Sequence, residues 1–129
     1  MSAIFMFVQI TLVVLSSFGV VDKQDQTTEK ITGIYSDMRY NEEGGDVLGC
    51  EIFIVYSKDG FYVIFQSSEG EPEVPVIARA KVKASEIQFS LRQHGQDETF
   101  KGAIKDGYLI GSFTGGDELR LKRKKSYWQ

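Results

Sequence analysis

Val74-Pro75-Val76-Ile77-Ala78-Arg79-Ala80-Lys81-Val82-Lys83-Ala84-Ser85-Glu86-Ile87-Gln88-Phe89-Ser90-Leu91-Arg92 alternates apolar and polar residues almost without a break. Val74, Val76, Ala78, Ala80 and Val82 fall on one side of an extended chain, and Ile77, Arg79, Lys81 and Lys83 on the other. A period of two marks a strand with one face on a core and the other in water. After the tight link Ala84-Ser85 the pattern resumes, with Ile87, Phe89 and Leu91 inward and Glu86, Gln88, Ser90 and Arg92 outward. Strands joined by so short a link must run antiparallel, because a parallel crossover needs a dozen or more residues. Pro75 has no N–H for a ladder, so it marks a strand start or an exposed edge.

The same rhythm extends both ways. Downstream, Phe100, Gly102 and Ile104 alternate with Thr99, Lys101 and Lys105, followed by Leu109, Gly111 and Phe113, then Leu119 and Leu121 against Arg120 and Lys122. Upstream, Leu48, Cys50, Ile52, Ile54 and Tyr56 share one face, with Val47, Phe53 and Val55 beside Glu51 on the other. Phe61, Val63 and Phe65 then oppose Tyr62 and Ile64. This upstream pair is apolar on both faces, which predicts a covering element or a contact surface. Lys58-Asp59-Gly60-Phe61 and Lys105-Asp106-Gly107-Tyr108 repeat one turn signal, and Asp-Gly between alternating segments favours a type I′ hairpin. Gly115-Gly116-Asp117 serves the last hairpin. No segment after Lys30 has helical periodicity. The expectation is one all-β domain over residues 31–125, an antiparallel up-and-down meander of about eight strands. It closes into a barrel, full or half-open, or a sandwich. A barrel of about eight strands is just wide enough for side chains to fill.

Gly33-Ile34-Tyr35 at the first strand and Arg120 in the last resemble the lipocalin (calycin) arrangement, in which Gly-x-Trp meets an arginine from the final strand. Tyr35 stands in place of the tryptophan. The resemblance implies lipocalin-like closure in architecture only, and it carries no function across.

Residues 3–21 contain no charged side chain. They read as a signal peptide cleaved after Gly19, with Ser17 and Gly19 as small residues at the cleavage site, or as an N-terminal membrane anchor. A basic n-region is missing. Residues 22–30 form a polar linker and 126–129 a tail. Either reading of the leader places the domain outside the cytoplasm, periplasmic or secreted. Cys50 is the only cysteine, so no internal disulfide is available, and an exported domain without one fits a bacterial envelope.

The net charge of −3 argues against nucleic acid as a partner. Residues 1–73 carry 12 acidic and 4 basic side chains, a balance of −8, and residues 74–129 carry 6 and 11, a balance of +5. The basic C-terminal strand is a candidate contact for an anionic surface such as phospholipid head groups. His94 is the only histidine and lies in a hairpin loop, so zinc spacing is absent. Asp37-Met38-Arg39-Tyr40-Asn41-Glu42-Glu43-Gly44-Gly45-Asp46 is rich in hard oxygen ligands but breaks the EF-hand pattern at Arg39, Glu42 and Leu48. No nucleophile elbow, dinucleotide fingerprint or phosphate loop occurs, and Cys50 on an apolar face reads as a small hydrophobe.

The expected function is therefore a non-enzymatic interaction or envelope-associated module without cofactor or metal. Its partner would be another envelope protein or a small ligand. The candidate contacts are Asp37, Arg39, Tyr40, Glu42 and Glu43 in the acidic loop, and Phe53, Val55, Tyr62 and Ile64 on the second face of the apolar pair. A small hydrophobic-ligand carrier of calycin type and a small hydrolase are the alternatives.

Overall fold

A computed structural model describes residues 30–129. The expected leader and the linker up to residue 29 lie outside the described residues. The chain forms β1 (Gly33–Ser36), β2 (Arg39–Asn41), β3 (Asp46–Ser57), β4 (Gly60–Gly70), β5 (Val76–Lys83), β6 (Glu86–Gln93), β7 (Gln96–Lys105), β8 (Tyr108–Phe113) and β9 (Leu119–Arg123). Each strand from β3 to β9 pairs antiparallel with the next, and β1 pairs with both β9 and β3, which closes the ring. Short β2 adds to the free length of β3. The result is a closed eight-stranded barrel with one extra short strand.

β1 and β2 keep a single register on β3: Ser36 faces Glu51 and Arg39 faces Leu48. They are one strand broken at Asp37-Met38. The Cys50 N–H donates to Asp37 Oδ1 at 2.7 Å, where a ladder would offer the Asp37 carbonyl, and the Asp37 N–H donates to the Cys50 carbonyl at 3.1 Å. The Met38 N–H is taken by Ser36 Oγ at 3.1 Å, and the Met38 side chain is buried. Gly49, at φ +104, lies against the kink, and a β-carbon there would sit 2.6 Å from Asp37 Oδ1.

The alternating residues fill the interior as the sequence pattern predicts. Ile52, Ile54, Val63, Ile87, Leu109 and Leu121 are buried, and Phe89 stacks on Phe100 at 4.9 Å. One end, the base, is sealed. Tyr35 is fully buried and donates to the Ile31 carbonyl at 2.7 Å. Arg123 lies over the Tyr35 ring at 4.9 Å and donates to Tyr35 Oη at 2.5 Å, to the Thr32 carbonyl at 2.8 Å and to the Lys30 carbonyl. The aromatic–arginine closure is thus present, but its arginine is Arg123. Arg120 faces the other way and stacks on Tyr108 at 4.2 Å. The correction follows from register: Arg123 pairs with Tyr35 across β9 and β1, whereas Arg120 is an odd number of residues away and points to the opposite face.

Three further expectations change. Tyr56 is 66% exposed, because β1 ends its pairing at Ile54 and the β3–β4 hairpin runs past the barrel, where Tyr56 packs on Phe61 at 4.9 Å. Val74 is 81% exposed, because β5 begins only at Val76, after Pro75. The two Lys-Asp-Gly hairpins also differ. Asp106 (φ 53) and Gly107 (φ 78) make the type I′ turn, but at 57–60 only Gly60 takes positive φ. Ser57 decides that case: its Oγ accepts the Asp59 N–H at 3.1 Å and donates to the Gly60 carbonyl at 3.2 Å, holding a different turn. Ile104, the residue before the second Lys-Asp-Gly, has no hydroxyl to do so.

Candidate functional site

The outer wall carries a row of apolar side chains in direct register. Ile34 faces Phe53, Phe53 faces Ile64, and Ile64 faces Ile77, so the row crosses β1, β3, β4 and β5. Adjacent strands lie about 4.8 Å apart, which gives a stripe about 14 Å long. Ile77 is 70% exposed and Phe53 38%. Val55, Tyr62 and Arg79 form the next row toward the base, with Arg79 5.8 Å from the Tyr62 ring centre.

On the mouth side the stripe is bordered by the C-terminal tail. Glu51 lies on the outer wall yet is 7% exposed, because residues 126–129 fold over it. Its carboxylate accepts hydrogen bonds from Ser36 Oγ (2.8 Å), Ser126 Oγ (2.7 Å) and the Tyr127 N–H (2.5 Å). Hydrogen bonds to an ionised acceptor are the strong kind. Trp128 completes the strap by donating from Nε1 to Gln66 Oε1 at 2.8 Å. Between strap and stripe lies a groove of about 330 Å³, lined by Ile34, Phe53, Ile64, Pro75 and Trp128 among others.

The second concave region is the open end of the barrel. A cleft of about 440 Å³ has Phe65 and Phe113 in its lining, together with Asp37, Glu69, Glu73, Glu98 and His94. Phe113 sits edge-on to Phe65 at 5.2 Å and to Phe100 at 5.2 Å, so the floor is aromatic. The expected filled interior therefore holds below this level, and the mouth itself is hollow.

Charge divides by end. The mouth connections and the strand ends that flank them carry Asp37, Glu42, Glu43, Asp46, Glu69, Glu71, Glu73, Asp97, Glu98, Asp117 and Glu118, eleven acids against two basic side chains, Arg39 and Arg92. The walls and base carry twelve basic side chains against four acids, Glu51, Asp59, Glu86 and Asp106.

The expected site residues separate accordingly. Asp37 is tied into the kink at the mouth, while Arg39, Tyr40, Glu42 and Glu43 stand exposed on β2 and the turn after it. Phe53, Val55, Tyr62 and Ile64 lie together on the outer wall, away from that loop. Sequence reading missed Ile34 and Ile77 as members of the stripe, and the Glu51 strap altogether. Ile77 did carry a signal, as the one apolar residue on a face otherwise made of Arg79, Lys81 and Lys83.

Chemistry at the mouth is limited. Burial pushes the Cys50 thiol up to about 12, with the negative charges of Asp37 and Glu51 and a hydrogen bond to Asp37 adding to it. A thiol kept protonated is a poor nucleophile. Ser68 Oγ is committed to the Val47 carbonyl at 2.6 Å, and the exposed His94 ring makes no hydrogen bond to a serine or carboxylate among the described residues. No group of three or more His, Cys, Asp or Glu side chains among the described residues is arranged to hold a metal ion. Compared with known proteins, the chain matches no family model, no curated protein and no solved structure.

Proposed function

We propose that this chain is a non-enzymatic, extracytoplasmic interaction module that docks an envelope protein on the apolar stripe of its outer wall. The observation that carries the reading is the row Ile34, Phe53, Ile64 and Ile77. The outward face of such a sheet is normally polar, and here four neighbouring strands each place an apolar residue on it at the same level. The core is already full beneath it, so the stripe adds nothing to the barrel's own interior. Its strands are fixed by the ladder on both sides, which makes the surface rigid and ready to bind. Fully burying an Ile or Phe contributes about 1.5–3 kcal/mol each. The apolar segment at residues 3–21 supports placement in or beyond a bacterial envelope.

Native electrophoresis of solubilised envelope tests this reading. The chain should migrate in a complex larger than itself, and Ile77→Lys should release it while leaving its melting temperature unchanged. Migration of the wild type as a free monomer contradicts the proposal.

The mouth cleft favours a second reading, a small-ligand carrier. Its volume passes the roughly 300 Å³ at which ligand pockets begin. The acidic rim above an aromatic floor selects an organic cation rather than a purely apolar molecule. Titration with hexylamine should shift the His94 ring resonances, and hexanoate should not. Equal shifts with both, or none with either, remove this reading.

A further inference from the structure

We propose that the base of the barrel is a docking surface for an anionic lipid bilayer, so that the domain sits base-down with its acidic mouth pointing away. This goes beyond the stripe and does not depend on it. The two ends of the molecule are opposite in sign. Lys58, Lys83 and Lys105 occupy or flank the three base hairpins, Lys30 marks where the chain enters, and Lys124 and Lys125 mark where it leaves β9. Among the described residues the ion pair within 4.0 Å is Arg92 with Asp97, at the mouth, so Asp59, Glu86 and Asp106 leave the base lysines unpaired. Each lysine or arginine near an anionic surface contributes about 1 kcal/mol. The acids at the other end are repelled by the same surface, so the field orients the barrel as well as attracting it.

The path of the chain points to the same end. The described chain enters the barrel at Lys30, at the base, and the uncharged residues 3–21 lie a short polar linker before it. Residues 22–29 reach at most about 28 Å when extended. A bilayer holding residues 3–21 would therefore find the base within reach, at high effective concentration. The base is sealed by Tyr35 and Arg123 and presents lysine-bearing turns. The contact is accordingly electrostatic, and salt weakens it.

The test uses the full chain reconstituted in vesicles of phosphatidylcholine alone and of phosphatidylcholine with a minority of phosphatidylglycerol. The tether is the same in both, so only the surface charge differs. On the anionic vesicles, amide exchange at the hairpins around Lys58, Ala84 and Asp106 should slow about five-fold or more, the factor that ~1 kcal/mol gives. High salt should reverse it, and exchange at the His94 hairpin should not change. The triple variant Lys58→Glu, Lys83→Glu, Lys105→Glu should lose the protection, whereas Ile77→Lys, which removes the protein-docking stripe, should keep it. Equal exchange at the base on both vesicles, or slowing at His94 instead, overturns the proposal and leaves an acidic macromolecule as the occupant of the basic end.

Discussion

At Gly49 and Asp37 a single close approach shapes the mouth. The kink brings the Asp37 carboxylate onto the Cys50 N–H, and that is possible only because position 49 has no β-carbon. Gly49→Ala should cost about 2 kcal/mol or more, read from denaturant unfolding, since it combines a positive φ with an unavoidable clash against backbone. Ala84 is the opposite case. It holds φ 54 in the β5–β6 turn, a conformation that a residue with a β-carbon rarely adopts. Ala84→Gly should stabilise the barrel by roughly 0.5–1 kcal/mol in the same assay. Cys50 makes a pH prediction. Its folded value near 12 lies above the ordinary value of 9.0, so the native state holds the proton longer than the unfolded chain does. The resulting stability is intact below pH 9 and is lost as pH rises from about 9 toward 12, by up to about 1.4 kcal/mol per unit. Cys50→Ala should show a shallower alkaline decline than the wild type. Parallel curves would contradict the assigned protonation.

The strap at residues 126–129 is the element that most changes the outer wall. Three donors converge on Glu51, so Glu51→Ala should free the tail. Trp128 is the only tryptophan, and its Nε1 bond to Gln66 fixes it beside the groove. In that variant its emission should shift to the red and become easier to quench, with a stability loss of roughly 1–3 kcal/mol. Unchanged emission would mean that the strap stands without Glu51. This is also the scale at which the sequence was most and least legible. The alternation of Val76 to Val82 and of Ile87 to Leu91 directly encodes strands, because period and burial are the same fact. The four-residue strap has no period, and Glu51 looked like any outward acid. The Lys-Asp-Gly turns were ambiguous because a residue before the repeat, Ser57, chooses the turn.

At the scale of the whole molecule, closure turns a linear charge imbalance into a spatial one. The strands run alternately up and down, so acids far apart in sequence, such as Glu42, Glu73 and Asp117, arrive at one end. Residue counting found only an acidic first half and a basic second half. The apolar stripe was half legible for a similar reason. Phe53 and Ile64 stood out on a two-sided strand pair, but Ile34 and Ile77 join them only through register across the sheet. Phe53→Asp should therefore cost about 1–2 kcal/mol in unfolding, less than a core substitution because the side chain is 38% exposed and lies outside the core cluster, while abolishing the proposed docking.

Under the proposed function, this stripe is where the protein meets its partner. Photo-crosslinking from position 77, in the full chain within its own envelope, tests it most directly, with position 88 as the control on the outer wall of neighbouring β6. Position 77 should give one discrete heavier protein adduct, lost in the Phe53→Asp background, and position 88 none. Adducts of equal yield from both positions, or from neither, would contradict it.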